Sequence, residues 1–247
     1  ESILINALGL NEWQLPGPLT YTRKASDAFA AERLDAEYFQ PKYDALIALL
    51  NANGSVQLGD CLAEPIQRGI SPLYVEDGGD VIVINSKHVG KTHVELENNR
   101  FTTRAWLNSQ AGERGEVRKG DVLLNSTGYI TIGRCQCVLE DANAIVDNHV
   151  AIIRPQAKLD PVYLACFLNS LPGQMQTEKN WTGSSGQIEL RRELVTRYTI
   201  WNAPSKTQMK IRALIEQSHS MRRNIRSLLE RTKRAVEIAV ETNETEA

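Results

Sequence analysis

Few side chains in this sequence are spaced for covalent or metal chemistry. The four histidines (His88, His93, His149, His219) and four cysteines (Cys61, Cys135, Cys137, Cys166) show no metal-ligand spacing. Cys135-x-Cys137 lies in an apolar run and reads as strand packing. Thr182-Gly-Ser-Ser-Gly186 comes near a nucleophile elbow but lacks the strand before it and the helix after it. Where a metal-dependent nuclease needs a carboxylate after a strand, the chain has Asn85-Ser-Lys87, and an amide cannot take that role. There is no Gly-rich phosphate loop, no Gly-x-Gly-x-x-Gly and no Asn/Asp-Pro-Pro-aromatic loop of the kind adenine methyltransferases use. The expectation is a binder, with no catalytic residue, cofactor or metal of its own.

What remains is hydrogen-bonding chemistry on glycine-punctuated loops, and these need elements to hold them. The clearest element is C-terminal. Ile211, Leu214, Ser218, Met221, Ile225, Leu228, Thr232, Ala235 and Ala239 alternate spacings of three and four, the pattern of a coiled-coil seam over about four heptads. The apolar seam residues Ile211, Leu214, Met221, Ile225, Leu228, Ala235 and Ala239 call for a facing helix. Ser205, three before Gln208, predicts a capping box at the helix start. Residues 205–240 hold nine Lys/Arg against three Glu, a net of +6, while residues 1–204 carry −5. That basic face is either solvated or turned toward a nucleic-acid backbone or an acidic partner.

At 247 residues and 42% hydrophobic content, the chain can bury one core beside the protruding helix. No apolar run approaches membrane-spanning length, and Glu1-Ser-Ile-Leu-Ile-Asn6 is no signal peptide, so reduced thiols and a cytoplasmic home are expected. Residues 1–10 read as helical turns stopped by Gly9, followed by the connector Leu15-Pro-Gly-Pro-Leu19. Ser26–Tyr38 and Pro41–Leu50 predict short helices. Val81–Ile84, Val122–Leu124, Ile130–Val138 and Val150–Ile153 predict strands. Asp160-Pro161 caps a helix to about Asn169, a second spans Gly173–Lys179, and a strand near Tyr198–Trp201 leads into the long helix. The fold class is α+β.

The order of motifs then carries a resemblance. Arg33-Leu-Asp-Ala-Glu-Tyr-Phe-Gln-Pro-Lys-Tyr43 is followed by Ile66-Gln-Arg-Gly69, Gly120-Asp-Val-Leu-Leu124 with Gly128, and His149-Val-Ala-Ile-Ile-Arg-Pro155. Gly173-Gln-Met-Gln176, Gly183, Leu190, Leu194, Ile200 and Pro204 close the series before Gln208 and Ile211. Together these resemble the target recognition domain of the specificity (S) subunit of type I restriction–modification enzymes. The resemblance implies a globular target-recognition domain with a mixed β core and a long C-terminal coiled-coil helix. Residues 1–14 would end a spacer helix, 15–204 form the recognition domain, 205–241 the spacer helix and 242–247 an acidic tail. It implies a non-catalytic subunit that reads one half of a split target in double-stranded DNA. Its long helix would dock methyltransferase (modification) subunits, with or without a restriction subunit. Two arrangements stay open, a half-subunit that homodimerises and one half of a longer two-domain subunit.

The family does not assign the residues that meet DNA, but side-chain chemistry nominates them. They are Gln67, Arg68 and Ser71 in one loop, Lys87 and His88 after a strand, Asn125, Ser126, Thr127 and Tyr129 in a turn, and Lys179, Trp181, Ser184, Ser185 and Gln187 in another. Arg and Lys suit guanine, Asn and Gln suit adenine, and hydroxyls suit phosphates or either base. The rival reading is a coiled-coil adaptor with no DNA role. It accounts for the heptads but leaves the polar loops without a purpose.

Overall fold

The structure, a computed structural model, describes residues 1–14, 17, 20–96, 99–110, 115–183 and 188–245. Its centre is a four-stranded antiparallel sheet in the order β2 (Gln67–Arg68), β8 (Val150–Ile153), β5 (Val122–Asn125), β6 (Cys135–Cys137). Every residue of β5 and β8 is buried. Val122, Leu124, Ala151 and Ile153 face a helical layer, while Leu123, Val150 and Ile152 face a second sheet. Covering on both faces is why these strands read as unbroken apolar runs instead of alternating ones. At about 1.5–3 kcal/mol per large apolar side chain, this double burial is the main favourable term of the fold.

The helical layer contains α1 (Ser2–Ala7), α3 (Pro41–Ala52), α5 (Pro161–Asn169) and α6 (Leu171–Asn180), with α2 (Ala25–Ala31) and a 3-10 turn (Ala36–Phe39) before α3. Asp160 caps α5, its carboxylate accepting the N–H groups of Val162 and Tyr163 at 2.8 and 3.0 Å. Leu4, Leu8 and Leu10 lie in the main core, so α1 is packed into the globule. The second sheet has the order β4 (Arg100–Thr102), β3 (Val81–Ile84), β7 (Ala144–Val146), with α4 (Arg104–Ser109) following β4. The turn Asp147-Asn-His149 carries the chain from β7 into β8, from one sheet to the other. A two-stranded pair of β1 (Ser55–Gln57) and β9 (Thr199–Trp201), the latter preceded by α7 (Arg192–Val195), anchors the root of the last helix.

That helix, α8, runs from Ser205 to Thr245, 41 residues or about 60 Å. Its start differs from the expected capping box. The carbonyl of Pro204 accepts the N–H groups of Thr207 and Gln208. The Gln208 side chain reaches outward instead, accepting from the Asp160 N–H at 2.9 Å and donating to the Ala203 carbonyl at 2.8 Å. Gln208 is therefore a clamp between α8 and the α5 cap. Ile211, the first seam residue, is 4% exposed and belongs to the globule's core. Leu214, Met221, Ile225 and Leu228 are half-exposed. At about 100° per residue they centre roughly 120° around the helix from Ile211, Arg212, Ile215, Arg222 and Arg226, which face the globule.

The basic face is also partly internal. Arg212 pairs with Asp160, Arg223 with Glu140 and Arg226 with Glu95, and Arg222 donates to the His93 ring. The globule's acidity and the helix's basicity thus partly neutralise each other. The sequence alone leaves that face to solvent or to a partner. The helix also continues through the start of the stretch read as an acidic tail.

Other differences are local. The expected strand Ile130–Val138 shortens to Cys135–Cys137, because residues 129–133 form a tight turn. Ser26–Tyr38 splits into α2 and the 3-10 turn. The connector residues 15, 16, 18 and 19 lie outside the described residues. Among the described residues no helix is long and apolar enough to cross a membrane.

Candidate nucleic-acid interface

The two ends of the four-stranded sheet differ in chemistry. At one end the motif residues Asp121 and Arg154 lock to each other, Arg154 Nε to Asp121 Oδ1 at 2.8 Å and Nη2 to Oδ2 at 3.1 Å. Arg154 also meets Glu64 at 2.8 Å and the Glu116 carbonyl at 2.9 Å. Arg154 holds the Glu64 carboxyl below the usual carboxylate range. This end is a network of paired charges, exposed at Glu64 and Arg118.

At the other end β5 finishes, β8 begins, β2 finishes and β6 begins, and the loops beyond them converge. The backbone is drawn tight there by Gly69. A Cβ on Gly69 would meet the Val146 and Asp147 carbonyl oxygens at 2.0 and 2.2 Å, so only glycine lets β2 press against the β7–β8 corner. Arg68 consequently reaches the Asn148 carbonyl at 3.2 Å and pairs with Glu189. Thr127 Oγ1 lies 2.7 Å from His149 Nδ1, and the Ser126 hydroxyl donates to the His149 carbonyl at 3.0 Å. Bridges of Glu189 to both Thr127 and Thr182 bring in the 181–190 segment. The Tyr129 and Trp181 ring centroids are 6.5 Å apart.

The nominated residues divide under this geometry. Arg68, Thr127, Tyr129 and Trp181 come together, with Gln67 beside Arg68 on β2 and within 3.4 Å of Glu64. Ser71 is exposed farther along that loop. Asn125 is 0% exposed and donates to the carbonyls of Ser86 and Val89 at 2.9 and 3.2 Å. It lies beneath the surface and fixes the 85–90 turn, as buried Ser126 fixes the His149 corner. The 85–90 turn holds Lys87 exposed, while His88 Nδ1 accepts from the Asn85 N–H at 3.1 Å. Burial pulls the His88 pKa down. Lys179 is half-buried between the Tyr38 and Tyr43 rings, 4.9 and 5.7 Å from their centroids and 3.8 Å from Asp44, and burial lowers its pKa. Ser184, Ser185 and Gln187 lie outside the described residues.

No protein-family model matches the chain and no curated protein matches it by sequence. Solved structures do match. One is a chain from work on complex assembly and conformational transition of the type I R-M system, with 16% identity and a TM-score of 0.47 over 89% of this chain and 51% of the other. Another is the HsdS subunit from Thermoanaerobacter tengcongensis, with 16% identity and a TM-score of 0.46 over 89% of this chain and 49% of that one. A third is the S subunit of a type I restriction–modification system from M. genitalium, with 11% identity and a TM-score of 0.44 over 65% and 37%. The structural neighbours are type I specificity subunits. The chain spans about half the length of the first two.

Beyond the residues nominated from sequence, the fold brings Arg33, His149 and Ile130 to this end. Arg33 grips Asp35 through two nitrogens, donates to the Trp181 carbonyl at 3.1 Å and lies 4.7 Å from the Tyr38 ring centroid. Its guanidinium holds the Asp35 carboxyl below the usual range. Arg33 and His149 both stand in the family-like motifs, which was the available signal. Ile130 had none, because an isoleucine before Thr-Ile reads as strand. The cysteines carry no reactive signature, since burial pushes Cys135 and Cys137 up, the latter to about 12.

Proposed function

We propose that this chain is a specificity subunit of a type I restriction–modification complex, or half of one, and reads one short half-site of duplex DNA. The observation that carries this reading is the asymmetry of the central sheet. At one end Asp121, Arg154 and Glu64 pair with one another, and the other end gathers Arg68, Lys87, Thr127, Tyr129, His149 and Trp181 from five separate segments. Cationic, hydroxyl and aromatic groups on a rigid sheet end suit a surface that must meet phosphates and base edges together. The family resemblance in the order of motifs supports the same reading. The half-exposed stripe of α8 supplies the place where a second helix and the methyltransferase subunits dock. The chain has no catalytic role in this scheme. An adaptor without DNA contact would use the same stripe, but nothing in it requires the loop convergence.

A gel-shift titration of the chain, alone and with methyltransferase subunits, against a pool of duplexes tests the proposal. Lys87→Ala and Arg68→Ala should each weaken binding and reduce the slope of log affinity against log salt by about 0.9 per lost phosphate contact. Binding that is absent in both arms, or indifferent to every loop substitution, would refute it.

A further inference from the structure

Tyr129 and Ile130, adjacent in sequence, are large apolar residues standing 69% and 80% exposed at the tip of the β5–β6 turn. The turn beneath them is stiff. The N–H groups of Thr131 and Ile132 donate to the Gly128 carbonyl at 3.0 and 2.9 Å, and the Thr131 hydroxyl donates to the Thr127 carbonyl at 3.2 Å. The Gly128 N–H donates to the Ile188 carbonyl at 3.2 Å, and its φ of +90° is one that glycine adopts without strain. On one side Tyr129 leans toward Trp181, with ring planes at 35°.

The collar around this tip is polar. Thr127 is bonded to His149, Arg68 reaches the same corner through Asn148, and Arg134 closes the turn. Tyr129 and Ile130 project at the tip, with Trp181 and the exposed Leu34 flanking them on one side and hydrogen-bonding groups on the other. A narrow apolar point on a rigid polar collar has the shape of a side-chain wedge. Such wedges enter between base pairs while the groups around them hold sugar and phosphate.

We propose that Tyr129 and Ile130 form a wedge that enters a base step of the bound duplex and unstacks it, an inference that rests on the DNA-recognition reading above. The wedge adds a shape-dependent component to specificity, because pyrimidine–purine steps unstack more cheaply than others.

The test compares two pools of random-sequence duplexes on the order of 30 bp, one fully paired and one with a central abasic site. A missing base has already lost its stacking, so a wedge enters there at lower cost. The full-length chain should bind the abasic pool about tenfold more tightly, a part of the unstacking cost the gap removes. Ile130→Ala and Tyr129→Ala should each bring that ratio toward one, and Ile130→Met should retain it. Arg68→Ala should weaken both pools equally. Both tip side chains are exposed, so melting temperatures should match the unaltered chain, and the two alanine changes check each other. An unchanged ratio in both alanine variants overturns the wedge and leaves the DNA reading standing. Failure of the unaltered chain to bind either pool at about 100 µM, the weak limit of non-specific binding, overturns the reading and the wedge together.

Discussion

At the scale of single residues, backbone closeness and paired charge decide what can change. Gly69→Ala forces a Cβ into two carbonyl oxygens of the β7–β8 corner and should destabilise the fold by about 2–3 kcal/mol. Gly78→Ala meets open space and suffers only its positive φ, about 1 kcal/mol. Urea unfolding of the two variants checks the ordering, and equal costs would contradict the packing described at Gly69. Asp121→Ala would remove two hydrogen bonds of Arg154 while leaving it Glu64 and the Glu116 carbonyl, and should cost about 1.5–3 kcal/mol. His88 and His93 both have pKa values lowered by burial, and the nearby Arg222 lowers that of His93 further. The folded chain then binds fewer protons than the unfolded chain between about 6.5 and the depressed folded values, so stability falls as pH drops through that window. His93→Gln should flatten the decline in thermal melts taken across it, whereas an unaltered pH profile would exclude His93 as a contributor. Sequence could nominate polar residues at this scale but not their exposure. Asn125 and Ser126 look like loop chemistry until the carbonyls of Ser86, Val89 and His149 are seen to take up their donor groups beneath the surface.

At the scale of elements, the most legible segments were those whose local signals agreed with their burial. The apolar runs of β3, β5 and β8 and the Asp160-Pro161 start of α5 are of this kind. Elements such as β2, β4 and β7, two or three residues long, are set by pairing with distant strands and leave almost no periodic signal. The sequence around Ile130 is β-like in composition, yet the Gly128 turn exposes it. The seam of α8 was legible as a pattern, but not the fact that its first residue belongs to the globule. That division gives a prediction. Ile211→Ala should destabilise the globule by about 2–5 kcal/mol, since a buried side chain is removed. Ile225→Asp with Leu228→Asp should leave the melting of the globule unchanged while abolishing self-association or methyltransferase binding in sedimentation. Intact assembly in the double variant would remove the seam's role as an interface.

At the scale of the whole molecule, the proposed recognition surface sits at one end of a doubly covered sheet, and a helix of about 60 Å carries a half-exposed apolar stripe. If it reads DNA as proposed, one such surface can distinguish only a few base pairs, too little against a genome of competing sites, so a second surface is required. If a second copy provides it through paired α8 helices, the target must be two-fold related, because protein symmetry is mirrored in the site. If another half of a longer chain provides it, the target is asymmetric. The measurement closest to the central claim is enrichment of random-sequence duplexes on the immobilised full chain, with and without methyltransferase subunits, read by sequencing. Enrichment of one short motif, lost in the Arg68→Ala variant and present as inverted copies if two chains pair, is the predicted result. A pool that emerges with uniform sequence from both arms would contradict the account.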